Sequence, residues 1–398
     1  MSFNYDELQR QLVDREADNL LRQRSTIHSP QGAMVSVDGR EYVNFCSNDY
    51  LGFANHPALN AALKTGVDES GTGGGASHLI CGHHQQHHLL EQEFAQLTGR
   101  DAALLFSTGF MANLGIITAL CGKADAVFQD KWNHASLIDG ALMSGASFKR
   151  FLHNDLDSLE RQLQSSSARR KLICVDGVFS MDGDKARLRE ISALAKQYNA
   201  WLLVDDAHGF ACLGEQGLGL CEELGLGQDD VPLLMCTLGK GLGSFGAIVA
   251  GPQVLIDTLV QFSRPYIYTT AMPPAIAAAT RAALKLLSTE PWHRQTLAAH
   301  IGFFQQAVSE LGLQIMPSET AIRPIIIGDE VLAMQCQAFL QQQGIWLTAI
   351  RPPTVPKGTA RLRVTLSAAH TTQQLEQLLN GLRAMQQRFP ELLLGRPS

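Results

Sequence analysis

From about residue 82 the chain falls into a repeating order of short apolar run, polar turn and helical stretch. The runs are ALLF (103–106), AVFQD (126–130), FKRFL (148–152), KLICVD (171–176), WLLVD (201–205), LLMCTL (233–238) and GAIVAG (246–251). Most are apolar throughout rather than alternating, which predicts strands covered on both faces. Helical periodicity fills several gaps, as at 187–198 and 253–262. Strands alternating with helices dictate an α/β fold on a mostly parallel seven-stranded sheet.

The 398 residues exceed what that sheet and its helices need, so further units are expected. Residues 4–24 read as an amphipathic helix, and MVSVDGREYVNF as a hairpin turning at Asp38-Gly39. These form an N-terminal segment, 1–60, ahead of a large domain at 61–285. The pair Pro273-Pro274 and a helical run to about residue 311 lead out of it. A smaller α+β C-terminal domain, 286–398, then has strands near 322–327, 345–349 and 361–366 and helices at 330–343 and 372–388, and the N-terminal segment is expected to join it. SSSARR (165–170) reads as a solvated loop, and no internal repeat is present.

A net charge of −6 without any basic block argues against nucleic acid or an anionic membrane as partner. The beginning, MSFNYDELQRQL, is polar and acidic, unlike a secretory signal, and no apolar run approaches the ~20 residues of a membrane span. A cytoplasmic location is expected. The eight cysteines are scattered without a CxxC pair, several within runs such as LICVD and LMCTL, so they read as reduced core thiols.

Ligands of an open parallel sheet sit beyond the carboxyl ends of its strands. WLLVDDAHG ends one strand with Asp205, Asp206 and His208; KLICVDGVFSMDGD ends another with Asp176, Ser180 and Asp182; LLMCTLGKG ends a third with Thr237 and Lys240. Singly, each is an ordinary turn or cap residue; their recurrence at strand ends points to a site. In STGFMANLGII, Ser107, Thr108 and Gly109 open a helix whose free N–H groups suit a phosphate, against the plainer reading of a simple cap. In NHAS, His134 sits at another strand-to-helix passage, as a stacking group or a cap. GTGGGASH (71–78) lacks the strand a dinucleotide fingerprint requires, and Gly239-Lys240 lacks the earlier glycine of a P-loop, position 234 being Leu. His83, His84, His87 and His88 have i,i+4 spacings that suggest a metal, but the exposed first turn of a helix starting near 83 explains them as well, and no metal is expected.

In LMCTLGKGLGSFGA, Lys240 stands between glycines just past a strand. A Schiff-base lysine, an aspartate for a pyridine nitrogen, a ring-stacking group and a phosphate nest together describe pyridoxal 5′-phosphate (PLP) chemistry. On this reading the glycines leave room for a flat ligand to approach the amine.

The chain also resembles the α-oxoamine synthases, fold type I PLP-dependent transferases, over nearly its whole length. NFCSNDYLG (44–52), DGVFSMDGD (176–184), VDDAHG (204–209), TLGKGLG (237–243) and SAAH (367–370) carry the resemblance. It implies that Lys240 binds the cofactor covalently and later moves the substrate Cα proton, that Asp205 pairs with the pyridine nitrogen, and that His134 stacks on the ring. It places His208 and Ser180 near the ring oxygen and Gly109, Phe110 and Thr237 at the phosphate, with Thr270 reaching the phosphate of a neighbouring subunit in a homodimer. Asn48 and Arg363 would hold an amino acid carboxylate; Arg22 and Thr354, with His134, match substrate-contacting positions. The stretch IRPPTVP within 348–370 is similar to the branch that condenses L-alanine with a pimeloyl thioester, on CoA or acyl-carrier protein, in biotin biosynthesis. Other branches join glycine to acetyl- or succinyl-CoA, or serine to a long acyl-CoA; a PLP carrier without activity and a histidine-based metal protein are alternatives of other classes. Position 176 is Asp where many relatives carry Glu, so its reach is shorter by one methylene.

Overall fold

The computed structural model describes residues 4–18 and 20–393. Its centre is a seven-stranded sheet of β3 (Ala102–Phe106), β4 (Ala126–Asp130), β5 (Ser147–Phe151), β6 (Lys171–Asp176), β7 (Trp201–Asp205), β8 (Leu233–Thr237) and β9 (Ala247–Gly251), preceded in the chain by the hairpin β1 (Met34–Val37) and β2 (Arg40–Asn44). The spatial order is β3-β9-β8-β7-β6-β4-β5. All pairings are parallel except those of β9, which runs against both β3 and β8. The reversal follows from chain length: only residues 238–246 join β8 to β9, too few for a crossover, which takes about a dozen residues or more. The lysine segment is therefore the turn between two adjacent strands.

Alternate residues of each strand face opposite layers. Leu104, Val127, Leu172, Leu203, Met235 and Val249 pack under the helices Gly109–Leu120, Ala135–Ser144 and Gln253–Phe262. Leu105, Phe128, Ile173, Val204, Cys236 and Ile248 face the other layer, which includes Gln85–Leu97, Leu188–Gln197 and Pro274–Thr289. Burial on both faces is why these runs lack a period of two.

In the C-terminal part β10 (Ile322–Gly328), β12 (Thr348–Ile350) and β13 (Ala360–Thr365) form an antiparallel sheet in the order β10-β13-β12, while β11 (Ile345–Trp346) adds in parallel to β2. The strand expected at 345–349 is thus two: buried Leu347 marks the point where the chain leaves the hairpin's sheet for the other. The N-terminal hairpin does join the C-terminal part, through β11. Two further expectations are corrected. The N-terminal helix spans Asp6–Ala17, not 4–24; beyond it Ile27 bridges Val37 in extended pairing. The run after Pro273 is two helices, Pro274–Thr289 and Trp292–Leu311, parted at Glu290-Pro291, since proline cannot continue the hydrogen-bond ladder.

Cys121, Cys174, Cys221, Cys236 and Cys336 are buried and free, as core thiols should be; Cys81 is exposed. Among the described residues no helix is long and apolar enough to cross a membrane.

Candidate active site

The carboxyl ends of β6, β7 and β8 present Asp176, Asp205 and Thr237, and the register sets Asp176 directly beside Asp205. Lys240, the third residue of the nine-residue turn 238–246, reaches back so that its Nζ lies 2.9 Å from His208 Nε2. The other ring nitrogen, Nδ1, meets the Tyr50 hydroxyl at 2.5 Å. Burial lowers the pKa of Lys240, and the Arg363 charge adds to this; the carboxylates of Asp205 and Asp176 oppose it without reversing the direction. Burial, helped by the charges of Lys240 and Arg363, holds His208 well below the ordinary histidine value, so the imidazole is neutral. A lysine whose pKa is lowered, beside an uncharged imidazole, is suited to act as a nucleophile and a base.

Asp205 is held on both oxygens. Oδ1 accepts from the Ala207 N–H at 3.0 Å and Oδ2 from Asn113 Nδ2 at 2.7 Å. Asn113 also donates to Ser136 Oγ at 2.9 Å, and that hydroxyl lies 2.8 Å from His134 Nδ1. A buried chain thus runs from the carboxylate to the exposed imidazole. His134 is at once the cap of the helix Ala135–Ser144, accepting the Ser136 N–H, and a ring standing edge-on to Phe110 at 6.4 Å. Cap and site residue coincide. Its backbone N–H donates to Asp176 Oδ2 at 3.0 Å, while Asp176 Oδ1 is buried with no partner. Burial and the neighbouring Asp205 charge push the Asp176 carboxyl well above the ordinary range.

At the start of the helix Gly109–Leu120, Thr108 Oγ1 accepts the Met111 N–H, leaving the N–H groups of Gly109 and Phe110 outside the helical ladder. A Cβ at Gly109 would come 2.7 Å from Thr237 Cγ2, so only glycine allows this approach to β8. The glycines after Lys240 have a packing reason as well. A Cβ at Gly241 would meet Ala211 Cβ at 2.8 Å, and one at Gly243, whose φ is +62°, would meet the Phe53-Ala54 backbone at 2.4 Å. They permit packing of the lysine turn against two loops.

From the far end of the chain, β13 delivers buried Arg363. Its Nε donates to Ser180 O at 2.8 Å, Nη1 to Thr365 Oγ1 at 3.1 Å and Nη2 to Asn48 Oδ1 at 3.4 Å. A guanidinium has five N–H donors, and these bonds leave two for a carboxylate. His134, Ser180 and Thr354 line one cavity of about 690 Å³, together with Trp132, Ile138 and Phe179. Thr354 also borders a second, of about 610 Å³, which contains Arg22. Thr270 is exposed and bridges Ser77. Sequence reasoning missed Asn113, Ser136 and Tyr50; the available signal for Asn113 was a polar side chain inside the otherwise apolar MANLGII run.

The expectation for the histidine cluster needs correcting. The helix begins at Gln85, with His84 as its cap, and His87 is wholly buried rather than on an exposed turn. Its Nδ1 accepts the His84 N–H and its Nε2 meets Met272 O at 2.8 Å.

The comparisons with known proteins agree with one another. Residues 40–382 match the model of the aminotransferase class I and II family. The 8-amino-7-oxononanoate synthase of Saccharophagus degradans is 56% identical over 378 residues, covering 94% of this chain and 95% of that protein. The chain belongs to the 8-amino-7-oxononanoate synthase family. Among solved structures, a serine palmitoyltransferase of S. paucimobilis with a bound PLP–myriocin aldimine superposes with a TM-score of 0.91 at 28% identity, covering 97% of this chain and 98% of that one. The crystal structure of the 8-amino-7-oxononanoate synthase of Francisella tularensis gives 0.77 at 30% identity, covering 87% and 98%. Backbone shape is shared by enzymes acting on different substrates, so shape does not select the substrate here.

The cofactor of this family is PLP, and the residues present fit it. A low-pKa lysine, a doubly oriented aspartate, two free helix N-terminal N–H groups and an orphaned buried oxygen on Asp176 converge at one end of the sheet.

Proposed function

We propose that the protein condenses L-alanine with a pimeloyl thioester, carried on CoA or acyl-carrier protein, giving 8-amino-7-oxononanoate, CO₂ and the free thiol, as a step of biotin biosynthesis. The observation that carries the reading is the 56% identity to a synthase of that name across 94% of the chain, since the fold alone fits a serine enzyme equally well.

PLP, when bound, supplies the electron sink that makes the alanine Cα–H acidic. Lys240 holds the cofactor and, as a neutral amine, takes that proton on Nζ. Asp205, oriented by Ala207 and Asn113, keeps the pyridine nitrogen protonated. Gly109, Phe110 and Thr237 hold the phosphate, His208 and Ser180 lie by the ring oxygen, and His134 covers the ring face. Arg363 and Asn48 grip the alanine carboxylate until it leaves as CO₂. The cavity beside His134 and Ser180 takes the acyl chain: Trp132, Ile138, Phe179 and Val355 suit its methylenes, and Lys131 and Arg150 border the cavity with positive charge for its distal carboxylate. Arg22 and Thr354 contact the substrate from the adjoining cavity.

The active unit is a homodimer in which Thr270 serves the neighbouring subunit's phosphate. Its exposure, with Tyr268 exposed two residues before it, Ile80 exposed three residues after its bridge partner Ser77, and Leu8, Leu12 and Val13 exposed on the N-terminal helix, supports this. The large unit 61–285 carries the cofactor, and 286–398 with 1–60 supplies Arg363, Asn48 and Arg22. Free cysteines support a reducing, cytoplasmic setting.

The test is product analysis by mass, with PLP, pimeloyl-CoA and alanine, glycine or serine. Alanine should yield 8-amino-7-oxononanoate; product from glycine or serine but not alanine would overturn the reading.

A further inference from the structure

On the face formed by the helix Gln85–Leu97 and the turn before it, His83, His88 and Glu91 each place a ligand atom within 4.8 Å of the others. We infer that these three side chains form a binding site for a late first-row divalent cation of the zinc type, made of residues other than those assigned to the lysine site. The i,i+4 pairs suggested by the sequence are not the ligands: His84 Nδ1 accepts the Gln86 N–H, and both nitrogens of His87 are taken. His88 and Glu91 instead lie one turn apart on the same helix face, and His83 approaches from the chain just before the helix.

Tautomers decide which clusters can take a metal. His83 Nδ1 lies 3.0 Å from His78 Nδ1, and the His78 ring is stacked on Tyr266 with centroids 5.0 Å apart. His83 Nε2 and Glu91 Oε2 are 3.9 Å apart, too far for a hydrogen bond. In the tautomer that donates its Nδ1 proton to His78, His83 turns an Nε2 lone pair toward Glu91 Oε2. The outer hydrogen bond that fixes the ring is what a metal-binding histidine requires. Glu91 is fixed too, as its Oε1 accepts the Leu105 N–H at 2.9 Å, which leaves Oε2 for a cation. The His88 imidazole has no hydrogen-bond partner among the described residues, its backbone N–H donating to His84 O.

A second cluster shows the contrast. His56, His293 and Glu290 are equally close, but His56 Nδ1 accepts the Ala58 N–H, so its proton is on Nε2 and points to Glu290 at 3.7 Å. His56 therefore offers no lone pair toward Glu290. At the first cluster two imidazoles and one carboxylate match zinc rather than magnesium or calcium, and the open cavity of about 880 Å³ beside them admits the ion and a completing water.

The experiment uses the untagged, PLP-loaded protein, stripped with a chelator and titrated with Zn²⁺, Co²⁺ and Mg²⁺ by calorimetry. One Zn²⁺ per chain should bind, Co²⁺ should develop d–d absorption and Mg²⁺ should not bind. His88→Gln, on the surface, and Glu91→Gln, which keeps an acceptor for Leu105 N–H, should each weaken Zn²⁺ at least about tenfold. Their metal-free melting temperatures report folding independently. Cys81→Ser should bind as the parent does. Absence of stoichiometric Zn²⁺ binding, binding undiminished in both His88→Gln and Glu91→Gln, or loss of binding in Cys81→Ser would each overturn the site.

Discussion

Replacing Asn113 by Ala isolates what orients Asp205. The Asn113 amide gives Asp205 Oδ2 its 2.7 Å hydrogen bond, and Oδ1 keeps the Ala207 N–H, so one of two bonds to the carboxylate is lost. A hydrogen bond to a charged group contributes about 1.5–3 kcal/mol, which at ~1.4 kcal/mol per decade is roughly 10- to 140-fold. That loss should fall on PLP affinity and on kcat/KM together, because both depend on Asp205 facing the pyridine nitrogen. Ser136 keeps His134 as a partner, so the helix cap should survive. The assay is PLP titration of the apo-protein by absorbance and fluorescence, with steady-state kinetics at saturating PLP and thermal melting of the apo form. A change below about threefold in both PLP affinity and kcat/KM, with apo stability reduced, would refute the reasoning and reduce Asn113 to a core-packing residue.

Three other outcomes follow from the same geometry. Arg363→Lys keeps the charge but loses the fork, and should raise the KM for alanine by about 10- to 100-fold while leaving that for the thioester little changed, as measured by varying each substrate in turn. Arg361→Met should lower the melting temperature markedly, since it strands Asp182, buried against Arg361; uncompensated buried charges cost about 3–5 kcal/mol. Burial pulls the His153 pKa down, but hydrogen bonds to the carboxylates of Asp130 and Asp184 outweigh it and hold the ring at about 9. A pKa raised above its unfolded value gives stability that is complete below about pH 6.5 and is lost as the pH rises through about 9. Stability curves of the parent should therefore decline between those values, and His153→Gln should decline less; parallel curves would refute the assignment.

The strands of the central sheet, their doubly buried faces and the placing of Asp205, Thr237 and Lys240 at strand ends were legible in the chain, because local periodicity and the residues that break it carry that information. The motif-bearing resemblance reached further, to Arg363 and Asn48, positions that periodicity says nothing about. What the chain did not disclose is adjacency. The reversal of β9, the switch of sheets at Leu347, and the meeting of Arg363 with Ser180 and Asn48 join segments far apart in sequence. So does the link from Asn113 through Ser136 to His134, and so does the approach of His83 to Glu91. Such contacts depend on strand order, on the length of connections and on which nitrogen of a ring is already occupied. By itself the sequence determined which elements form and which residues end them; only the tertiary structure decided which of those ends face one another, because that choice is made by packing across the whole sheet and not by any neighbour along the chain.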